Sequence, residues 1–187
     1  MIVLASASPR RRELLGRFVP DLVIDPADGP EIVPEGASPE QAVLALSLGK
    51  ARQTAQRHPG NIVIGADTVV ALDGTILGKP RDEADAARML RSLSGRTHTV
   101  CTGVTVISGD TVMSRAEATD VHFRGLTDRE IAAYIATGEP MDKAGAYGIQ
   151  GAASLFVKGI DGDYFNVDGL PLCLLGQMLE TMGVSLL

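Results

Sequence analysis

The chain has no tryptophan, three tyrosines and four phenylalanines in 187 residues, so its interior has to be filled by Val, Leu, Ile and Ala. Its two cysteines, Cys101 and Cys173, share no metal-ligand spacing, which argues against a disulfide framework or a zinc site. Three scattered histidines, His58, His98 and His122, argue against a His-rich metal centre. Positive charge is not in excess. The net charge is −6, which disfavours a protein that coats nucleic acid or an anionic membrane, so any phosphate-binding cations must be concentrated locally. No apolar run approaches the ~18 residues of a membrane span, and no charged leader precedes the first apolar patch. The expectation is a soluble, cytoplasmic protein with neither membrane nor nucleic acid as partner, a single domain over residues 1–187.

The most informative stretch is the first one. Ile2-Val3-Leu4-Ala5-Ser6-Ala7-Ser8-Pro9-Arg10-Arg11-Arg12-Glu13-Leu14-Leu15 reads as a short buried strand, a turn bearing two hydroxyls and a helix start. Ser8 suits an N-cap and Pro9 a first helical position. Three arginines then occupy a first turn where the helix dipole favours carboxylates. Such a broken local rule tends to mark a functional site. An anion accepting the free N–H groups, the hydroxyls and an arginine fork resolves the conflict, and polyphosphate fits that size. The plain alternative is a solvated basic turn.

Further along, Asp21 to Ile24 reads as a short strand, and Pro26 to Ala37 as a loop carrying Glu31. Ser38-Pro39-Glu40-Gln41 opens a helix that should end near Arg57 and carries Lys50. Asn61 to Leu72 is apolar almost throughout, as expected of a strand covered on both faces, and Asp67 interrupts it. A carboxylate there is expensive unless paired, hydrogen-bonded or bound to metal. Asp73-Gly74 signals a hairpin that returns through Thr75 to Gly78, followed by Lys79. Leu72-Asp73-Gly74-Thr75 resembles the aspartyl-phosphate motif of haloacid-dehalogenase-like phosphatases. That chemistry needs an Asp where this chain has Ala71, so the resemblance is set aside.

A helix over Asp82 to Leu93, two long strands over Thr97 to Ile107 and Thr111 to Phe123, and a capped helix from Thr127 to near Gly138 complete the middle of the chain. His98 and Cys101 fall on a strand and read as structural, while Arg12 reads as a surface residue. Leu155 to Val157 and Tyr164 to Val167 are expected as the last strands, and Pro171 starts a final helix with Leu172, Leu175, Leu179 and Met182 inward.

Seven short motifs then carry a resemblance that spacing alone cannot supply. They are Ser6-Ala7-Ser8-Pro9-Arg10-Arg11, Lys50-Ala51, Gly65-Ala66-Asp67-Thr68, Gly78-Lys79-Pro80, Ser94-Gly95-Arg96-Thr97-His98, Asp142-Lys143-Ala144-Gly145 through Gln150-Gly151, and Val167-Asp168-Gly169-Leu170-Pro171. In this order they resemble the Maf family, nucleoside triphosphate pyrophosphatases once described as septum-formation inhibitors. The resemblance implies an α/β fold like that of inosine-triphosphate pyrophosphatases: a long twisted mixed β-sheet flanked by helices, with a cleft between two lobes. It implies hydrolysis between the α and β phosphates of a nucleoside triphosphate, with Mg²⁺ or Mn²⁺.

Asp67 matches the family's proton acceptor, and in the mechanism the residues suggest, Lys79 and Lys50 neutralise β and γ oxygens. Ser8 and Arg11 would hold the triphosphate, and Asp67 with Glu31 the metal. Arg11, Thr68 and Gln150 match positions separating the dTTP/UTP branch from a relative acting on 7-methyl-GTP, which has a bulky aromatic where this chain has Arg10. Thr68 and Gln150 would read the pyrimidine edge. The resemblance also carries the expectation of a homodimer. Glu31 lies in a loop that matches the family only with a one-residue gap, and Asp168 stands where an uncharged residue is expected and reads as surface variation. The rival readings are a non-catalytic nucleotide-binding regulator of division or septum formation, and a phosphatase that releases orthophosphate.

Overall fold

In the computed structural model, which describes residues 1–187, the chain runs through seven strands and six α-helices. β1 (Ile2–Leu4) leads through Ser6 and Ser8 into α1 (Pro9–Gly16), and β2 is the short Val23–Ile24, two residues fewer than its sequence suggests. α2 (Pro39–Arg57) opens on a complete capping box: Gln41 N–H donates to Ser38 Oγ at 3.2 Å, and Ser38 N–H donates to Gln41 Oε1 at 3.0 Å. Then come β3 (Ile62–Leu72), β4 (Thr75–Leu77), α3 (Glu83–Leu93), β5 (Thr97–Ser108), β6 (Thr111–Phe123) and α4 (Asp128–Ile135). Short 3₁₀ turns at Glu139–Asp142, Ala144–Ala146 and Ala152–Leu155 precede β7 (Val157–Asp161), α5 (Tyr164–Asp168) and α6 (Leu172–Thr181).

Two sequence expectations fail near the end. Leu155 closes a 3₁₀ turn and the strand begins only at Val157, while Tyr164 to Val167 is helical. Local caps override the β-preference of the aromatic pair there. The Asp163 carboxylate accepts the Phe165 N–H at 2.7 Å, and Gly169, at φ 112°, ends the turn in a backbone conformation that glycine adopts without strain.

The sheet runs β2-β1-β3-β5-β6-β7, with β4 beside the far end of β3. β2, β1 and β3 are mutually parallel and the remaining pairings antiparallel. Of four hydrophobic clusters on the long strands, two are large. One packs Leu14, Leu15, Leu175, Met178 and Leu179 of α1 and α6 onto the near half of the sheet. The other packs Leu90, Leu93, Ile131 and Tyr134 of α3 and α4 onto the far half. These are the two lobes, and each buried Leu or Ile contributes about 2 kcal/mol by leaving water. No helix is long and apolar enough to cross a membrane.

The edge of β3 is interrupted between the lobes. β1 pairs with it at Ile62 to Ile64 and β4 at Val70 to Leu72, whereas the stretch between them has only β5 alongside. Side chains of successive residues on that stretch point to opposite faces of the sheet and both reach the same gap.

Candidate active site

A cleft of about 710 Å³ occupies this gap, outside the carboxyl end of β1 and in front of the N-terminus of α1. Ligands in open α/β sheets commonly bind at such a position. The alternation of β3 divides the cleft into two halves, one built around Asp67 and the other around Thr68.

On the Asp67 side, glycine sets the geometry. A Cβ on Gly65 would lie 2.4 Å from the Ser47 carbonyl oxygen, and one on Gly103, which pairs with Asp67, 2.3 Å from that of Val43. Both clashes would be with the α2 backbone, so two glycines let this helix lie directly on the sheet. α2 thereby delivers Lys50, whose ammonium forms an ion pair with Asp67 and a second one with Glu31 at 2.8 Å. The Lys50 and Asp67 side chains are 19 and 15% exposed, whereas that of Glu31 is 62% exposed. The hydrogen bond from Lys50 holds the Glu31 carboxyl below its usual range. Lys79, immediately after Gly78, lines the cleft beyond them.

On the Thr68 side stands Arg11, whose fork is already committed to the protein. Nε donates to Gly169 O at 2.7 Å, Nη1 to Ala66 O at 2.8 Å and Ser6 Oγ at 3.2 Å, and Nη2 to Thr68 Oγ1 at 2.9 Å. Of its five N–H groups one remains. Burial pushes its pKa down, and Asp67 opposes that shift. That single N–H is what Arg11 has left to offer a triphosphate. It stitches β1, β3 and the turn after α5 together, while its neighbour Arg10 lines the cleft with no hydrogen bond to the protein.

The hydroxyls beyond Arg11 form a directed chain. Thr102 donates to the Asn166 carbonyl at 3.1 Å, so the 2.8 Å contact between Thr68 and Thr102 is donated by Thr68. Having spent its proton and accepted one N–H, Thr68 has an acceptor lone pair left.

Glu31, Ser8, Lys50, Asp67, Thr68 and Lys79 therefore face one cavity, as does the edge of Arg11. Ser8 caps α1, accepting the Arg11 N–H at 3.5 Å. Gln150 is not on the wall. It lies at the exposed rim and donates through Nε2 to Asp168 Oδ2 at 2.5 Å. Asp168 does line the wall and is 3% exposed, so the reading of it as surface variation is wrong. Burial pushes its pKa up. Sequence reasoning overlooked Asp168, Arg10 and Lys143 as cleft residues. The adjacent glycines of both late motifs were the available signal, since they let backbone approach a site closely. His98 and Cys101 lie in the core: His98 shares a hydrogen bond with the Tyr147 hydroxyl at 2.7 Å, and burial pushes the Cys101 thiol up to about 11. Arg12 is exposed.

No group of three or more His, Cys, Asp or Glu converges to hold a metal on protein ligands alone. Asp67 and Glu31 do converge on one cationic position, that of the Lys50 ammonium. Two carboxylates beside a cavity suit a hard divalent cation whose remaining ligands are water and phosphate.

The chain is 51% identical over 183 residues to a dTTP/UTP pyrophosphatase of Koribacter versatilis (strain Ellin345), covering 98% of this chain and 95% of that one. It is 52% identical over 180 residues to one of Thermococcus gammatolerans, covering 96% of each chain. Among solved structures, the Staphylococcus aureus Ham1 protein superposes with a TM-score of 0.55 at 15% identity, covering 97% of this chain and 98% of that one. A HAM1 protein from Coxiella burnetii gives 0.54 at 16%, covering 96 and 98%. At such identities the likeness is one of fold, a mixed α/β sheet flanked by helices. Residues 1–182 match the family model described as Maf-like protein, and the chain belongs to the Maf family.

Proposed function

We propose that this protein hydrolyses dTTP and UTP to the monophosphate and pyrophosphate. The observation that carries the reading is Asp67 itself, a carboxylate projecting from an interrupted strand edge into a cleft that also holds Lys50, Lys79 and Arg10. The names of the relatives at about half identity supply the substrate class.

Cleaving a phosphoanhydride needs an oriented water, neutralisation of the non-bridging oxygens and support for the departing group. Asp67, fixed on a strand and held by Lys50, orients the water and takes its proton. Lys79 and Arg10, free of protein partners, meet the phosphate oxygens, and the N-terminus of α1 with Ser8 offers further donors. Arg11 acts from behind, keeping Thr68 and the Ser6 turn in place. Mg²⁺ or Mn²⁺, held by Asp67 and Glu31, would shield phosphate charge and acidify the water. Thr68 and Gln150 read the base, where a mismatched edge leaves a buried polar group unpaired. In this reading the protein works in the cytoplasm, where nucleoside triphosphates are made, and as a homodimer, which light scattering on the purified protein tests.

The test is a panel of natural and modified triphosphates with Mg²⁺ or Mn²⁺, scored for pyrophosphate against orthophosphate. Pyrophosphate from dTTP and UTP above all others is expected. Orthophosphate with a diphosphate indicates a terminal phosphatase, and saturable binding without product indicates a regulator.

A further inference from the structure

The Lys50 ammonium stands between the two carboxylates best placed to hold a divalent cation. Its ion-pair and hydrogen-bond partners are Asp67 on β3 and Glu31 in the loop before α2, and no other protein group. Asp67 is fixed by its strand, and Lys50 by a helix that Gly65 and Gly103 admit onto the sheet. Glu31 has no such support. It lies outside any helix or strand, its side chain is 62% exposed, and Lys50 is its one polar partner. The ammonium therefore gathers the same two carboxylates that a metal would need, and one position cannot hold both cations.

Charge decides which cation the position favours. Besides Lys50, Lys79 and the buried Arg11 also act on Glu31 through electrostatics. A divalent ion arriving alone would meet two carboxylates already set among three fixed cations, and would have to leave an ammonium unpaired in order to enter. A triphosphate reverses this balance. It brings negative charge of its own, adds the oxygen ligands that hard cations prefer, and offers the displaced ammonium a new anion. The flexible stem of lysine permits that exchange while α2 stays in place.

We propose that Lys50 is a resident cation, occupying the divalent-metal position of the nucleotide-free protein and yielding it only when a nucleoside triphosphate arrives, so that free metal binds poorly and metal and nucleotide enter together. The inference rests on the reading of Asp67 and Glu31 as the metal's carboxylates and adds the order in which the site fills. Lys50 holds Asp67 before the nucleotide binds and pairs with phosphate afterwards.

Binding of free Mn²⁺ to the nucleotide-free protein, followed by the electron paramagnetic resonance of the unbound ion, tests this without catalysis. Lys50→Met should bind Mn²⁺ about tenfold or more tightly than the unaltered protein, because the ion then relieves two carboxylates left without a partner, an effect moderated by the exposure of Glu31. Lys50→Arg keeps the positive charge and should bind Mn²⁺ as weakly as the unaltered protein. Adding Glu31→Gln to Lys50→Met should remove the gain, which places the ion between the two carboxylates. Mn²⁺ should also raise the melting temperature of Lys50→Met more than that of the unaltered protein. Lys50→Gln serves as the second neutral variant should Lys50→Met fail to fold, with the same direction expected. A folded neutral variant that binds Mn²⁺ no more tightly than the unaltered protein overturns the proposal, as does a gain that survives Glu31→Gln.

Pyrophosphate release from UTP by the unaltered protein separates this inference from the reaction it rests on. If none is released yet the neutral variants gain Mn²⁺ affinity through Glu31, the assignment of Lys50 holds and the hydrolytic reading fails. If pyrophosphate is released and the neutral variants gain nothing, the hydrolytic reading holds and the assignment of Lys50 fails.

Discussion

The Lys50 ammonium and the Asp67 carboxylate meet across two elements whose backbones touch at glycine. Gly65 stands two residues before Asp67 on the same face of β3, and Gly103 is its partner on β5. Their missing Cβ atoms let α2 lie close enough for Lys50 to reach. Gly65→Ala or Gly103→Ala should push the helix off the sheet. A stability loss of about 1–3 kcal/mol, typical of overpacking, is expected in urea titrations. Activity should fall further than stability accounts for, because the Lys50–Asp67 pair is pulled apart.

Arg10 and Arg11 are adjacent in sequence and should separate cleanly in experiment. Arg11→Lys removes a fork that four protein acceptors share, and should cost about 3 kcal/mol or more of stability. Arg10→Ala takes away no protein hydrogen bond. Stability should stay within about 0.5 kcal/mol, while KM for the triphosphate rises about tenfold. Thermal melts and initial rates on the two variants check both statements.

His98 should make stability fall on mild acidification. It is 2% exposed, and burial pushes its pKa from 6.5 down to about 4. As pH drops, the unfolded chain takes up a proton before the folded one. The contribution is complete above about 6.5 and is lost between there and about 4, roughly 3 kcal/mol in all. Stability of the unaltered protein, followed across that interval against His98→Gln, should show a steeper decline than the variant.

Asp168 should have the opposite sign. Burial raises its folded pKa, so between the ordinary value of 3.8 and the raised one the folded chain holds the proton and the unfolded chain does not. Stability therefore drops as pH rises through that window. Asp168→Asn is expected to melt higher than the unaltered protein at neutral pH, with the advantage disappearing below 3.8.

Much of this architecture was legible in the sequence because local signals agreed with the global pattern. The capping boxes at Ser38 and Thr127 fixed two helix starts, and the apolar run from Asn61 to Leu72 announced a covered strand interrupted by one carboxylate. Tyr164 to Val167 looks like a strand by its aromatic pair, yet the Asp163 cap outweighs that preference over so short a segment. The partition of labour between Arg10 and Arg11 was illegible for another reason. Both suit a phosphate site by residue type, and only the third dimension brings the Ala66 and Gly169 carbonyls to one of them. Asp168 was hidden likewise, since a charge before a glycine in a turn sequence gives no sign of being buried.

The role of Asp67 is tested most directly by one comparison: UTP turnover by the unaltered protein and by Asp67→Asn, with pyrophosphate and orthophosphate measured separately and melting temperatures alongside. Pyrophosphate is expected from the former and a fall of about 10²–10⁴ in the latter at an unreduced melting temperature, as for loss of a general base. An Asp67→Asn protein that releases pyrophosphate at the original rate, or an unaltered protein that releases orthophosphate, contradicts it.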